Sequence, residues 1–98
     1  MITVTLPAHL RNLAKVEGSI SIELKGKSTI GSLLNAIEEK YPMLKGTIRD
    51  HGTLKRRPFL RYYTCEKDFS LESPDTVLPS EVVSGKEPFM IIGSIAGG

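Results

Sequence analysis

The chain has 98 residues and a mass of 10.8 kDa, which allows one small domain and leaves little room for a second. Apolar residues make up 40% of it and charged residues 24%, and this ordinary composition excludes a disordered chain and a coiled coil. The net charge of +2 says little about partners, whereas the single cysteine, Cys65, excludes an internal disulfide and a cysteine-based metal cage. No run of residues is long and apolar enough to cross a bilayer, so we expect a cytoplasmic protein with no membrane partner.

Two runs of alternating apolar and polar residues open the sequence. In residues 2–6, and again in residues 19–24, every second side chain is apolar, a period typical of a strand with one buried face. Gly18 stands where the chain would turn back, so the two runs predict an opening hairpin. Between them, Leu10 and Leu13 are expected to reach the core from the connecting segment.

An amphipathic helix is predicted next. Ser28 or Thr29 can cap its start, because a hydroxyl can accept a hydrogen bond from an unpaired amide of the first turn. Pro42 ends it near Lys40, since the residue before a proline is disfavoured in helical conformation. Glu38 lies off the apolar stripe. That stripe has the spacing i, i+3, i+4, i+7 and i+11 and consists of Ile30, Leu33, Leu34, Ile37 and Tyr41.

After the helix, a short helical turn over residues 44–49 and a mobile loop to Arg57 are expected. Residues 59–64 are rich in strand formers and predict a strand. Alternation along it separates Leu60 and Tyr62, on one face, from an aromatic and arginine face made by Phe59, Arg61 and Tyr63.

The rest of the chain predicts further short strands. A strand is expected around residues 69–71, and residues 77–83 are interpreted as a loop with small apolar side chains directed inward. The fully apolar run over residues 89–92 suits a strand buried on both sides in mid-sheet. Two strands, one helix and returning strands together predict an α+β layer, with the helix packed against a mixed sheet.

Few residues suggest catalysis. His9 and His51 lie far apart in the sequence, so they do not predict a metal site, and Glu66 disfavours a reactive thiolate at the adjacent Cys65. What remains is a tail over residues 94–98, after a domain over residues 1–93, that ends in Ile95, Ala96, Gly97 and Gly98. Glycines without a Cβ fit a narrow channel and leave the last carbonyl carbon open to attack. From the pattern alone, a reactive tail and an ordinary frayed terminus are both open.

The whole chain resembles the ubiquitin-like β-grasp sulfur carriers, the family of the small subunit of molybdopterin synthase and of the thiamin-pathway sulfur carrier. The residues that carry the resemblance are 2–7, 28–34, 41–42, 59–64 and 95–98, of which the last set is the specific element. The resemblance implies a β-grasp fold with a mixed sheet of four to five strands and one main helix packed on one face.

The resemblance also implies a chemistry for Gly98. A ubiquitin-activating-like adenylyltransferase uses ATP to adenylate its carboxylate, and sulfur from a persulfide-bearing donor protein then replaces AMP to leave a thiocarboxylate. A sulfur-accepting enzyme takes that sulfur, in molybdenum cofactor or thiamin biosynthesis for the two members named above. Gly97, Ala96 and Ile95 thread into the partner in this scheme. The chain is then a carrier rather than an enzyme, and it binds no cofactor itself.

Besides a purely structural subunit, held to its partner by the sheet face alone, two alternatives stay open. In the first, the adenylated Gly98 is conjugated to a lysine, which makes the chain a protein modifier. In the second, it is a nucleic-acid-binding module, because residues 55–57 are all basic and aromatic residues follow them closely. The acidic balance of residues 66–87 argues against nucleic acid. For docking to a protein partner, we expect an exposed patch of Phe59, Arg61 and Tyr63 on the sheet face away from the helix.

Overall fold

The structure is a computed structural model and describes residues 1–93; residues 94–98 lie outside the described part of the chain. Its elements, in chain order, are β1 (Ile2–Thr5), α1 (Ala8–Ala14), β2 (Ile20–Ile22), α2 (Ile30–Lys40), a 3₁₀ turn (Pro42–Leu44), β3 (Leu60–Thr64), β4 (Lys67–Asp68), α3 (Ser80–Val83) and β5 (Phe89–Gly93).

The five strands form one mixed sheet in the order β2-β1-β5-β3-β4. β1 pairs antiparallel with β2 and parallel with β5, with Val4 opposite Phe89. β5 also pairs antiparallel with β3, with Ile91 opposite Tyr62. The last strand therefore lies at the centre of the sheet beside the first, which confirms the predicted β-grasp fold and the mixed sheet.

One face of the sheet and the apolar stripe of α2 enclose the core. The rings of Tyr62 and Phe89 meet there with their centroids 5.7 Å apart and their planes tilted by 41°, a geometry that aromatic pairs favour. Every second residue along the strands is buried against the helix, as period-two alternation requires. The buried residues of the strands are Ile2, Val4, Ile20, Ile22, Leu60, Tyr62, Thr64, Phe89 and Ile91.

Helix α2 begins and ends where the sequence predicts. Thr29 is its N-cap, and its Oγ1 accepts a hydrogen bond of 3.1 Å from the backbone amide of Ser32. The Ser32 hydroxyl in turn accepts one of 2.8 Å from the Thr29 amide, so two amides of the first turn are satisfied reciprocally. The helix ends at Lys40, two residues before Pro42.

The connection between β1 and β2 differs from the predicted hairpin turn, because it contains helix α1. The carbonyl of Pro7 accepts hydrogen bonds from the amides of Leu10 and Arg11, and Lys15 ends the helix in left-handed conformation with φ 58°. Leu10 is buried as expected. The expectation for Leu13 is wrong, since its side chain is 44% exposed on the outer side of this short helix.

The segment between α2 and β3 is more ordered than a loop without secondary structure. The helical turn forms at Pro42–Leu44 rather than over residues 44–49. Residues 48–57 then fold back on themselves: the Asp50 amide donates to the Lys55 carbonyl at 2.6 Å, and the Arg57 amide donates to the Ile48 carbonyl at 3.0 Å. These backbone bonds close the segment on itself, and the buried side chain of Ile48 anchors it to the core.

Three predictions for the second half of the chain need correction. The strand after β3 is Lys67–Asp68 rather than residues 69–71, because the turn occupies Cys65 and Glu66. The predicted loop over residues 77–83 contains the helical turn α3, at residues 80–83. Strand β5 is buried on one face only, and Ile92 on the other face is 43% exposed.

No helix in the described residues is both long enough and apolar enough to span a membrane.

Candidate functional site

The outer face of the sheet, away from α2, carries a patch of large side chains that are exposed or half-buried. Arg61 pairs with Ile92 across β3 and β5, and Tyr63 pairs with Met90, so these four side chains adjoin one another. Phe59, directly before β3, is 64% exposed. We call these five residues, Phe59, Arg61, Tyr63, Met90 and Ile92, the sheet-face patch. The structure thus places Arg61 and Tyr63 on the face that the sequence predicts, but Tyr63 is half-buried rather than exposed, and Phe59 precedes the strand.

Met90 and Ile92 are members of the patch that the sequence analysis missed. The apolar run of β5 indicated burial on both faces, whereas helix α2 covers only one. A strand in the centre of a sheet is shielded by its two neighbours at its edges, so one exposed apolar face is compatible with its central position. An apolar centre beside aromatic and arginine side chains has the composition of a protein-docking surface.

Asp68 on the edge strand β4 fixes the position of Arg61. Its Oδ2 accepts a hydrogen bond of 2.7 Å from Nε of Arg61 and lies 2.7 Å from Nη2 of the same guanidinium. Its Oδ1 accepts a hydrogen bond of 2.7 Å from the Ser70 amide. Hydrogen bonds from Ser70 and then from Arg61 lower the pKa of Asp68 to about 2. The carboxylate is therefore ionised at neutral pH and holds the guanidinium beside the patch.

The described chain ends at Gly93, at a crowded point between two elements. A Cβ at this position would lie 3.2 Å from Cε1 of His9 and 3.2 Å from Cβ of Pro7. Gly93 also pairs with Leu60 across β3. The tail therefore begins where β5 passes the start of α1, and Ile92 of the sheet-face patch directly precedes that point.

The predicted reactive residues of the tail, Ile95, Ala96, Gly97 and Gly98, lie outside the described residues. Within residues 1–93 there is no group of three or more histidine, cysteine, aspartate or glutamate side chains that could hold a metal. Cys65 is half-buried in the turn between β3 and β4.

The basic and aromatic run over residues 55–63 is divided between the two sides of the sheet. Arg56 is occupied by the protein itself: its Nε donates to the Ser70 carbonyl at 3.1 Å, and its Nη1 donates to the Leu60 carbonyl. Tyr62 is buried in the core, while Tyr63 lies on the outer face. The run does not form one continuous stacking surface of the kind that single-stranded nucleic acid requires.

Glu38 and Arg49 form a buried ion pair that the helical periodicity did not indicate. The Arg49 Nε lies 2.8 Å from the Glu38 Oε2, and Arg49 is only 4% exposed. The two residues are 11 positions apart, and the intervening turn brings them together. The only sequence signal was an arginine in a segment with few apolar residues.

No protein-family model and no curated protein matches the chain. Solved structures do match over almost the full length of both chains. CysO of Mycobacterium tuberculosis has a TM-score of 0.75 at 20% identity, covering 97% of this chain and all of its own. The Amycolatopsis orientalis BexX/CysO complex contains a chain with a TM-score of 0.74 at 21% identity, covering 100% of each. Small archaeal modifier protein 1 of Methanosarcina acetivorans has a TM-score of 0.68 at 23% identity, covering 98% of this chain and 94% of its own.

These similarities concern the fold, since no identity among the three reaches 25%. The mixed five-stranded sheet of this chain, with its last strand in the centre, is the arrangement of a β-grasp domain. The chain has the ubiquitin-like β-grasp fold.

Proposed function

We propose that this chain is a sulfur carrier whose C-terminal glycine, Gly98, is adenylated by an ATP-dependent activating enzyme and converted to a thiocarboxylate. The observation that carries the proposal is that residues 95–98, Ile-Ala-Gly-Gly, closely follow the central strand of a β-grasp domain. The folded body is then the part that partners recognise, and the tail is the part that reacts. The domain boundary between residues 93 and 94 belongs to this proposal.

The chemistry needs three partners. An adenylyltransferase that binds ATP joins the Gly98 carboxylate to AMP and releases pyrophosphate, which turns a poor acyl electrophile into a good one. A persulfide on a sulfur-donor protein then attacks the carbonyl carbon and displaces AMP, and a thiol reduces the resulting acyl disulfide to the thiocarboxylate. A sulfur-accepting enzyme consumes the product. The chain is a co-substrate in each step and binds no cofactor of its own.

Glycine at positions 97 and 98 fits this role for steric reasons. Without a Cβ, Gly97 and Gly98 pass through a narrow channel and leave the carbonyl carbon open to the nucleophile. Ile95 and Ala96 precede them and supply the first contacts inside the partner. The five residues after Gly93 span at most about 17 Å. An enzyme that reacts with Gly98 must therefore also come close to the domain.

The sheet-face patch is the surface that we assign to this docking. It adjoins the start of the tail through Ile92, and it offers aromatic and arginine side chains with an apolar centre. The BexX/CysO complex supports an interaction of this kind, because a chain of the same fold is bound there to another protein.

The test is incubation of the full chain with ATP and candidate activating enzymes, followed by intact-mass analysis. We expect an acyl-adenylate first, and then a product heavier than the free chain by roughly 16 Da, the change from carboxylate to thiocarboxylate. Gly97→Ala should slow adenylation at least about tenfold, because a methyl group crowds the channel. The matched control is Gly18→Ala, where an added Cβ meets nothing within 4 Å.

One extra residue after Gly98 gives a second test, because it moves the carboxylate out of register. We expect this capped variant to keep its fold and to lose adenylation. Sulfur transfer at the normal rate by the capped variant would contradict the proposal.

Conjugation is the second candidate function, and the small archaeal modifier protein of the same fold favours it. Adenylated Gly98 then passes to a lysine amine of another protein. Mass spectrometry of the native cell separates the two outcomes. A thiocarboxylate appears on the free chain, whereas an isopeptide bond places the chain on larger proteins.

A further inference from the structure

A concave surface lies on the helix side of the sheet, away from the sheet-face patch. It is a cleft of about 580 Å³ between the start of α2, the segment over residues 53–56 and the segment over residues 70–74. Its floor includes the core residues Ile30, Leu34 and Tyr62. A volume of this order lies in the range of ligand sites in proteins.

Two polar groups in this cleft have no partner within the described residues. Neither Nη1 of Arg49 nor Oη of Tyr62 makes a hydrogen bond there, although each residue is only 4% exposed. No buried side-chain nitrogen or oxygen of the described chain lacks a partner, so both atoms keep some accessible surface, and both residues line the cleft. A donor held at the floor of a cleft and left without an acceptor is suited to an acceptor from outside.

The two donors are held rigidly. Arg49 donates from Nε and Nη2 to the Glu38 carboxylate, at 2.8 and 3.1 Å, and from Nη2 to Asn35. The ring of Tyr62 packs against Phe89. Burial raises the pKa of Tyr62 to about 12, so the phenol keeps its proton and can donate it. Donors already fixed in position lose little entropy on binding.

The rim of the cleft is apolar and basic. Leu71 is 86% exposed and Leu54 is 50% exposed, and Leu54 has the left-handed φ of 61° that leucine rarely adopts. The charged lining residues are Arg49, Lys55 and Arg56 against Glu72. Glu38 already neutralises Arg49, so Lys55 and Arg56 against Glu72 leave a balance of +1. An acceptor with negative charge beside an apolar group complements this surface.

We propose that the cleft binds an acidic peptide segment of a partner protein, with one carboxylate accepting hydrogen bonds from Arg49 Nη1 and Tyr62 Oη. A neighbouring apolar side chain of that peptide packs on Leu54 and Leu71. The cleft and the sheet-face patch are on opposite sides of the sheet, so both can be occupied at once. This interaction is independent of the chemistry at Gly98.

The test uses the full chain as bait for a displayed library of random 12-residue peptides. We expect selected peptides to carry aspartate or glutamate beside leucine or phenylalanine. When such a peptide is added, the NMR amide signals of this chain that shift should be those of residues 53–56 and 70–74. Replacing the acidic residue of a selected peptide by its amide should weaken binding about tenfold or more, as the loss of a charged hydrogen bond predicts.

Variants of the chain separate this site from its surroundings. Tyr62→Phe removes only the unpaired hydroxyl, so folding should be unchanged while peptide binding falls about tenfold. Tyr63→Phe on the opposite face is its matched control. Leu71→Ala should weaken binding, whereas Leu13→Ala, on the exposed side of α1, should not.

Four results would overturn the proposal: no enrichment of acidic peptides, equal binding by Tyr62→Phe, shift changes confined to the sheet-face patch, or preferential binding of a single-stranded RNA 12-mer in the cleft. The last result would assign the surface to nucleic acid. None of the four would bear on adenylation of Gly98, which is measured separately.

Discussion

Arg49 and Glu38 show how one pair of residues can connect two segments of a small domain. Their side chains are 5% and 12% exposed, and the Nε–Oε2 distance is 2.8 Å. Removing two charges from water is unfavourable, and only good geometry with further hydrogen bonds offsets it. Asn35 supplies an additional acceptor for Arg49, so the guanidinium joins helix α2 to the segment before β3.

Arg49→Met should destabilise the fold strongly, because it leaves the Glu38 carboxylate buried without its partner. We expect the free energy of unfolding in urea to fall by about 3–5 kcal/mol. The double variant Arg49→Met/Glu38→Leu should recover most of this loss. Arg57→Met is the control at an exposed pair, with Asp50 at 3.9 Å, and should lose less than about 1 kcal/mol. An equal loss in the double variant would show that packing, not charge, is responsible.

Asp68 predicts a specific pH dependence of stability. Hydrogen bonds from Ser70 and then Arg61 lower its pKa from 3.8 to about 2 in the folded state. The ionised carboxylate therefore stabilises the fold above the unfolded pKa, and this contribution is lost as the pH falls from about 4 to about 2. Asp68→Asn should show a shallower fall in unfolding free energy over that range.

At the scale of elements, the cap of α2 is the feature that local sequence determines most directly. Both Ser28 and Thr29 were possible caps, and the structure assigns the role to Thr29 with Ser32 as its reciprocal partner. Thr29→Ala should lower the unfolding free energy by about 1 kcal/mol, measured by thermal and urea unfolding. Ser28→Ala is the matched control and should change it by less than half as much. A larger loss of unfolding free energy in Ser28→Ala than in Thr29→Ala would mean that the cap is at Ser28.

The tight turn between β3 and β4 gives a prediction in the opposite direction. Cys65 and Glu66 both have positive φ, 50° and 62°, as the two central residues of a type I′ hairpin turn require. Glu66→Gly should therefore raise the unfolding free energy by about 0.5–1 kcal/mol, because glycine adopts this conformation without strain. Glu17→Gly, at a loop position outside the residues with positive φ, should lower it.

The elements with strong periodicity could be predicted from the sequence, and those without it could not. The alternation in β1 and the stripe of α2 give both their bounds and their buried faces. Helix α1 was missed because it has only seven residues and lacks the usual signals at its ends: Pro7 offers no side-chain cap, and Lys15 stands where a glycine is common. Ile92 was misplaced because an apolar run alone does not tell whether one face or two are covered.

At the scale of the whole molecule, the buried core of the described residues runs from Ile2 to Ile91. Deleting residues 94–98 should therefore leave the urea unfolding curve unchanged within about 0.5 kcal/mol, while abolishing adenylation. The control is Gly85→Ala, where a Cβ would lie 2.9 Å from the Met1 carbonyl and φ is 87°, and which should destabilise the domain and leave the tail chemistry intact. A large loss on deletion would place the tail among the stabilising contacts of the fold.

The candidate site was predictable to different extents on the two sides of the sheet. Strand alternation predicted the outer-face positions of Arg61 and Tyr63 correctly, because the face of a strand residue follows from local period alone. The cleft over Arg49 and Tyr62 was not predictable, since it requires residues from four separate segments to meet. Non-local contacts of this kind leave no periodic signal in the sequence.

The central position of β5 has a mechanical consequence. A force applied to the chain beyond Gly93 acts along a strand that is bonded to β1 on one side and β3 on the other. Such a load shears both ladders together, instead of peeling hydrogen bonds one after another from an edge. Forced unfolding is governed by the height of the unfolding barrier, and this arrangement raises that barrier. An unfoldase that pulls on the last residues should therefore unfold the domain more slowly than one that pulls on an edge strand.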